Sequence, residues 1–596
     1  MSQFIIGIDL GTTNSAIAFV DAAPDSRAQV FPIAQLINPN EVADRSLLPS
    51  SLYIPGPNEF VEGALALPWD ANPPYITGTL ARTRGVENAT RLVASAKSWL
   101  SNQMADPTQP FLPIAAPEGV SKISPLEASR QYLQHLRHAW DAGHPDAKLV
   151  DQTVLITVPA SFDAAARDLT QRAAHLAGYP EVTIIEEPQA AFYAWIERNP
   201  NWREQVKPGD LILVVDIGGG TTDFTLIAVT EQKGELQLER IAVGDHLLLG
   251  GDNMDLAVAR FAEQQFAAKG TKLDARQFYA LWQQCRAAKE LLLSDSAGAP
   301  ESQALTILGR GSGLIGGTIK GSISRDDIRT LLLDGFFPVV AADATPQRQR
   351  RAALAEAGLN YATDAAVTKH LAQFLQRSGA DGGFARPTHL LLNGGVLQAS
   401  AIENRLFEVL KQWLGDAPLT ELRNETKQAD LMHAVAHGAA YYGLARIGKG
   451  VRIRGGVPRS YYVGIETSLP AIPGLPAPMK ALTVVPFGLE EGSSVAMPAR
   501  KFALVVGEPA EFRFFSSLTR KHDEAGTLIE QLDDSFEELA PIEVLLPVNS
   551  DARREQVVPV TLETHVTETG MLELWCVAAD ERRWKIEFNV RERPAA

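Results

Sequence analysis

The strongest constraint on the fold is a pattern that occurs twice. FIIGIDLGTTNSAIAFV, residues 4–20, and LILVVDIGGGTTDFTLIAV, residues 211–229, each run from β-branched and aliphatic residues into an aspartate. A glycine- and threonine-rich tip follows, then a second apolar run. Such alternation around a tight tip predicts strand, turn, strand: a β-hairpin at the edge of a buried sheet. Glycines in the tips let several backbone N–H groups converge on an anion, and threonine hydroxyls add donors. Asp9 and Asp216, which lead into the tips, repel a phosphate but suit a hydrated Mg²⁺, a hard cation that gives up its waters reluctantly. Two such loops facing each other predict a grip on the β- and γ-phosphates of a nucleotide. One glycine-rich turn is common architecture; two in matching context point to a ligand.

Composition narrows the class. A chain of 596 residues, 45% hydrophobic and 21% charged, predicts a folded protein of several domains. Its 55 basic and 71 acidic residues give a net charge of −16, which argues against a general nucleic-acid or anionic-membrane partner. Cys285 and Cys576 are its two cysteines, enough for neither a disulfide framework nor a cysteine-rich zinc site. The apolar N-terminal residues belong to the first hairpin rather than to a leader, and no run has the length of a membrane helix. A reducing cytoplasm is the expected setting.

Along the chain, periodicity predicts short strands at 30–37 and 47–54, a proline- and aromatic-rich loop at 68–83, and a helix at 88–100 that carries Lys97. Helices at 125–142 and 164–177 flank a buried strand at 150–158. VTIIEEPQAAFYAWIE then reads as strand, acidic turn and helix, with Glu187 at the helix start before Pro188. By spacing alone Lys97 is an ordinary exposed lysine. Glu187 is either a partner of the helix dipole or a carboxylate facing the phosphate cleft, able to align a water.

A polar segment, 199–209, separates this first lobe (1–198) from a second (199–447). Gly244, Gly250 and Gly251 form a turn before a helix starting near Asp252, and a helix over 273–293 contains Lys289. Strands at 305–308 and 315–319 bracket a glycine turn, and Ser324 caps an acidic helix start with Asp326 and Asp327. A charged helix pair at 341–380 reads as a surface insertion. HLLLNGG gives a strand ending at Gly394 and Gly395, where backbone can lie against a flat ligand, and a helix at 434–444 closes the second lobe. KGVRIRGGVPR is a basic linker within 448–459. From 460 to 596, short strands with proline and glycine turns predict a small all-β sandwich.

These motifs, in this order, resemble the Hsp70 family of molecular chaperones within the actin-like ATPase superfamily. IIGIDLGTTNSAIA resembles the family's first phosphate loop, VVDIGGGTTDFTL its second, VTIIEEPQAAFYAW its first connecting segment, VGDHLLLGGDNMD the loop after the second hairpin, and LLLNGGVLQAS its nucleoside loop. The likeness covers roughly residues 3–445; YYVGIETS and VTETGMLELWCVA extend it more weakly to the β part of the substrate-binding domain. It implies an α/β two-lobed actin-like ATPase domain followed by a small all-β domain, with ATP or ADP and Mg²⁺ as ligands.

Carried over by resemblance, Asp9, Asp216 and Asp223 match the acidic residues around the magnesium. Gly11, Thr12 and Thr13 match the first phosphate loop, and Gly218, Gly219, Gly220 and Thr221 the second. Lys97 matches the catalytic lysine near the γ-phosphate, and Glu187 the glutamate linked to hydrolysis and lobe communication. Pro159 and Arg167 match the family's proline switch and its partner arginine. Gly250 and Gly251, Lys289, and Gly394 and Gly395 match positions around the nucleoside.

The chain also departs from the family. Arg286 replaces an acidic residue near the ribose and is counted here with the nucleotide-binding set. Glu290 replaces an arginine beside the adenine, Val396 and Gln398 replace a serine and an arginine, and Ser161 replaces a tyrosine at the switch. Arg452, Ile453, Arg454, Gly455 and Gly456 stand where the family has a leucine-rich acidic linker, and no stretch matches its helical lid. An apolar linker docks by burying side chains, which two arginines and two glycines do not reproduce.

Three functions follow as expectations. One is an Hsp70-like ATPase chaperone holding unfolded segments in its β domain, with a nucleotide-exchange factor and, if the linker still couples, a J-domain partner. The second is a nucleotide-gated scaffold for one dedicated protein. The third is a small-molecule kinase of the same superfamily, which needs a second substrate pocket and base. Catalysis is assigned to Lys97, Glu187, Asp216, Asp223 and Thr221, and the metal to Asp9 and Asp216.

Overall fold

Both duplicated stretches fold as hairpins in the computed structural model of the chain. Phe4–Leu10 pairs antiparallel with Asn14–Asp21, and Leu211–Ile217 with Thr222–Gln232. The structure describes the chain apart from residues 1, 24–25, 103–104, 115, 161, 233–234, 245–246, 297, 310–317, 348–361, 380–382, 424–430, 450–456, 458, 467–478, 490–491, 498–499, 518–519, 521, 534, 540, 548–556, 568–570 and 590–596. The linker residues 452–456, Ser161 and the glycine turn with Ile315 therefore lie outside the described residues.

Neither hairpin lies at a sheet edge, which corrects the expectation. Phe4–Leu10 is flanked on its other side by the parallel strand Thr153–Val158, which in turn pairs with Val182–Glu186. Leu211–Ile217 is likewise flanked by the parallel strand His389–Asn393, and Glu235–Val243 extends the hairpin outward. The reason is legible in the burial. Ile5, Ile6, Ile8 and Leu10 are at most 2% exposed, so both faces of the strand are apolar and covered, as a parallel neighbourhood requires. The register then sets Asp9 opposite Thr157 and Asp216 opposite both Asp223 and Asn393.

Each sheet has its own core. Ile6, Ile8, Leu133, Trp140 and Ile156 belong to the first; Leu213, Val215, Leu281, Leu371 and Leu406 belong to the second. The helix Ala434–Arg446 does not close the second lobe as expected; it packs on the first sheet and on the helix Glu187–Arg198. Its small residues allow that close approach. A methyl group on Gly438 would lie 1.6 Å from the Ala190 carbonyl oxygen, and one on Gly7 would lie 2.2 Å from the Ala436 carbonyl oxygen.

Three local expectations also change. Residues 88–100 are not one helix but a 3₁₀ turn, the strand Leu92–Ala94 and a second 3₁₀ turn, Ala96–Trp99. Leu92 and Val93 find sheet partners in Tyr53 and Leu52, and Ser95 adopts a left-handed φ of 54°, which ends any helix there. The loop expected at 68–83 ends in the helix Thr79–Glu87. Within 341–380, Val367–Ser378 is no surface insertion, because Val367, Leu371 and Leu375 are fully buried in the second core.

Contacts divide the chain into Met1–Arg452 and Ile453–Ala596. The second unit is a β-sandwich. Ser460–Glu466 pairs with Met479–Val485 and Phe514–Ser517 in one sheet, and Val557–Val566 pairs with Met571–Ala578, itself paired with Arg583–Asn589, in the other. Tyr461, Val463, Leu482 and Val484 from the first sheet share a core with Val558, Val560, Leu574 and Ile586 from the second. Among the described residues, no helix is long and apolar enough to cross a membrane.

The contact between this helix and the helix Glu187–Arg198 is testable. Gly438→Ala has no space for its methyl, whereas Gly335 has none of its surroundings within 4 Å. We expect Gly438→Ala to lower unfolding stability by about 2–3 kcal/mol or more, and Gly335→Ala to stay within about 0.5 kcal/mol of wild type, both read from urea melts.

Candidate functional site

The strand register carries two carboxylates to the ends of the two sheets, and the tips that follow bring the lobes together. A methyl on Gly219 would sit 2.0 Å from the Thr13 hydroxyl, and one on Gly220 would sit 2.5 Å from the Ser98 hydroxyl. The tip of the second hairpin thus touches residues of the first lobe. Gly11 must be glycine because a methyl there would lie 2.1 Å from the Asn14 carbonyl oxygen. Gly394 has φ 93°, and a side chain there would meet the Ile217 carbonyl oxygen at 2.3 Å and Asp216 Oδ1 at 2.7 Å.

The second tip is braced from behind. Gly251 donates its N–H to the Gly218 carbonyl at 3.0 Å, Asp252 donates to the Gly219 carbonyl at 2.7 Å, and the Thr222 hydroxyl donates to Leu249 at 2.6 Å. Gly250 is the hinge of that brace: a methyl there would lie 2.8 Å from the carbonyl oxygens of Gly218 and Gly219. On the first tip, the Ser50 hydroxyl donates to the Gly11 carbonyl at 2.6 Å and its N–H to Thr13 at 2.9 Å.

A cavity of about 480 Å³ opens between these tips, a volume that suits a nucleotide-sized ligand. Asp9, Gly11, Thr12, Thr13, Lys97, Glu187, Asp216, Gly218, Gly219, Thr221, Gly251, Lys289, Gly394 and Gly395 all line it. Gly220, Asp223, Gly250 and Arg286 do not form its wall. Asp223 is 3% exposed and stands beside Asp216 on the neighbouring strand. Arg286 lies behind the wall: its Nη2 donates to the Thr13 hydroxyl at 2.9 Å, and its Nε lies 3.7 Å from Asp255 and 3.8 Å from Glu290.

Lys97 is 5% exposed, not the surface lysine that spacing suggests. The left-handed Ser95 and the 3₁₀ turn after it aim its ammonium inward, where it donates to Glu187 Oε1. Glu187 starts its helix immediately after the strand ending at Glu186, with Pro188 in the first turn. Lys289 Nζ lies 2.7 Å from Asp255 Oδ1 as an ion pair and donates to the Gly251 carbonyl at 3.3 Å. Sequence reasoning missed Arg82, Asp252, Asp255 and Asn393, which also line the cavity. Asn393 was available as the last residue of HLLLN before Gly394, and the two aspartates stand in the GGDNMD string. Arg82 gave no signal, because its helix was read as loop.

The electrostatics are lopsided. Burial, then the charge of Glu187, raises the Asp9 carboxyl to about 7, against the opposing pull of Lys97 and a 3.3 Å hydrogen bond from Thr157. Burial, then Glu187, also raises Asp216 well above the carboxylate range, although Asn393 Nδ2 donates to it at 2.8 Å. A site that holds carboxylates at this cost is suited to a cation. The donors are hard oxygens: Asp9, Asp216 and the buried Asn393 Oδ1, which has no hydrogen-bond partner. Among the described residues, no three histidine, cysteine or acidic side chains group closely enough to ligate a metal directly. That arrangement fits a hydrated Mg²⁺ held through its waters.

Comparison with known proteins agrees with the motif order. The sequence model of the family described as Hsp70 protein matches residues 5–334. A chaperone protein HscA homolog of Pseudomonas putida is 31% identical over 306 residues, covering 49% of this chain and 42% of the relative. Another, from Acidovorax sp., is 30% identical over 343 residues, covering 55% of this chain and 47% of the relative. The chain thus spans less than half the length of these curated relatives.

The raised Asp9 carboxyl has a consequence for ligand-free protein. A carboxyl whose folded value is about 7 contributes stability that is full below its ordinary value of 3.8 and lost as pH rises through about 7. Its ionisation is thus expected to cost the fold on the order of a few kcal/mol at alkaline pH. Asp9→Asn should raise the melting temperature of the ligand-free protein at about pH 8 and flatten its decline between about pH 5 and pH 8. A thermal-melt series against pH checks this.

Proposed function

The chain belongs to the Hsp70 family, whose sequence model covers more than half of it, and from that premise we propose that it is an ATP-dependent chaperone that hydrolyses ATP between its two lobes. The observation that carries the reading is the convergence, in one cavity, of both glycine tips, Asp9, Asp216 and the buried Lys97–Glu187 pair. The description of those relatives as chaperone proteins supports the same reading.

In this reading the triphosphate lies between the tips, and backbone N–H groups of Gly11–Thr13 and Gly219–Thr221 receive the β- and γ-phosphates, the Gly218 N–H being spent on the Thr221 carbonyl at 3.0 Å. Lys97 offsets charge on the transferring phosphoryl group, and the Thr221 hydroxyl adds a donor. Asp9 and Asp216 would hold Mg²⁺ through water, and that ion would supply positive charge against the phosphates and the two carboxylates. Glu187, fixed at a helix start, aligns the attacking water, and Asp223 holds negative charge behind Asp216. Little covalent chemistry falls to the protein in phosphoryl transfer, so positioning and charge account for most of the rate. Gly394 and Gly395 let backbone lie flat against the nucleoside, with Lys289 and Gly251 closing that end. Arg286 acts from behind, by fixing Thr13.

The β-sandwich is the part assigned to an unfolded client, with a nucleotide-exchange factor and a J-domain protein as partners and the cytoplasm as location. Two buried free thiols, Cys285 and Cys576, accord with that compartment. The basic sequence between the two units favours a second reading, a nucleotide-gated scaffold for one dedicated protein.

Steady-state hydrolysis separates these. Wild type should show magnesium-dependent turnover, and Lys97→Ala should lose about 100-fold or more. Turnover altered by many unfolded peptides supports the chaperone; turnover indifferent to all of them supports the dedicated scaffold. Absence of both nucleotide binding and turnover in wild type overturns the ATPase reading.

A further inference from the structure

Away from the cavity wall, three charged side chains are buried together where the lobes meet. Glu186 ends the strand Val182–Glu186, one residue before Glu187, and is 1% exposed. Its Oε1 accepts from Arg167 Nη2 at 3.2 Å, and its Oε2 accepts from Arg240 Nη1 at 3.1 Å. Arg167 comes from the first lobe's helix Ala164–Leu176 and also donates to the Ala160 carbonyl at 3.1 Å. Arg240 comes from Glu235–Val243, the outermost strand of the second sheet. One carboxylate therefore takes an arginine from each lobe.

The backbone is shaped to bring this about. Opposite Leu226 and Ile227 the partner strand presents Ala242 and Arg240, so Ile241 is an extra, unpaired residue, a β-bulge. The bulge inverts the usual polarity of a surface strand. The Arg240 side chain is 6% exposed and turned inward, while Ile241 is 48% exposed. Burying three charges gains little stability over an apolar contact, and exposing an isoleucine gains none. What the arrangement supplies is geometry: a fork of two guanidinium groups on one carboxylate fixes distance and direction where a greasy contact permits sliding.

We propose that Glu186 and Arg240 are positioning residues: with Arg167 they form a pivot that locks the angle between the lobes and thereby the aim of Glu187. Glu186 is the last strand residue and Glu187 the first helical one, so the tether on one sets the direction of the other. With both its oxygens engaged, Glu186 is held away from Lys97, which is left to Glu187. The consequence for hydrolysis rests on the reading of Glu187 as the group that aligns the attacking water.

The test uses the full chain, with Arg240→Met removing the fork at similar length and Arg240→Lys keeping the charge without the fork. Spin labels at positions 61 and 308, where Val61 is 74% and Leu308 78% exposed, report the lobe-to-lobe distance in nucleotide-free protein. Arg240→Met is expected to broaden that distance distribution and to slow single-turnover ATP hydrolysis by about tenfold or more. Its ADP affinity should stay within about twofold, since the pivot is off the cavity wall, and Arg240→Lys should lie between it and wild type. An unchanged distance distribution, or a broadened one with wild-type hydrolysis, overturns the proposal. Should Arg240→Met fail to fold, Arg240→Lys decides by the same readings. If wild type neither binds nor hydrolyses ATP, the ATPase reading fails and the positioning of Glu187 fails with it, whereas the distance measurement still decides whether the triad locks the lobes.

Discussion

Negative charge crowded around one ammonium is the interaction on which the rest of the first unit depends. Asp9, Glu187, Asp216 and Asp223 all bear on one another, and Lys97 is the cation set among them. A pair of buried carboxylates pushed upward in pKa is unfavourable in isolation. It persists because each aspartate is the penultimate residue of a largely buried strand, whose packing outweighs the local cost. The two sheets thus serve as rigid mounts, each delivering one carboxylate to a common gap. Central placement of the hairpins in their sheets supplies that rigidity; an edge hairpin would leave the tip free to retreat from the repulsion.

Close approach is the second requirement, and it explains which glycines cannot be replaced. Gly219 faces the Thr13 hydroxyl, Gly250 the carbonyls of Gly218 and Gly219, and Gly394 the Ile217 carbonyl. At each of these positions backbone or a short side chain from another segment occupies the space where a Cβ would be. The tips are therefore defined less by their own turn preferences than by what is pressed against them. Gly438 extends the same logic to the helix Ala434–Arg446, which packs on the helix Glu187–Arg198 and on the first sheet although its nearest neighbours in sequence belong to the second lobe.

Much of this was legible in the sequence where the information is local. The hairpins, the strand Val182–Glu186, the helix that begins at Glu187 and the Gly394 turn all carry their own periodicity or punctuation, and each formed close to its expected bounds. What was missed depends on distant partners. The stretch around Lys97 has the composition of a helix, but Leu92 and Val93 are claimed by Leu52 and Tyr53, about forty residues away in sequence. Arg286 was expected at the ligand, yet Thr13 and Asp255 draw it behind the wall. Arg82 belongs to a short helix whose capping residue is a glycine without a side-chain cap, so nothing announces its start.

The distribution of cations on the second lobe completes the physical picture. Lys289 is paired with Asp255, and Arg286 lies near Asp255 and Glu290, so the positive charge contributed by that helix is already balanced before any ligand arrives. A phosphate entering the gap meets backbone dipoles, the paired Lys97 and Arg82. Attraction is then short-ranged and directional, since oriented N–H groups act only at contact distance. In a chain of net charge −16, long-range attraction of an anionic nucleotide is weak in any case. Under the proposed ATPase reading, the two aspartates would repel a bare phosphate and attract the same phosphate once its charge is masked by a hydrated divalent ion.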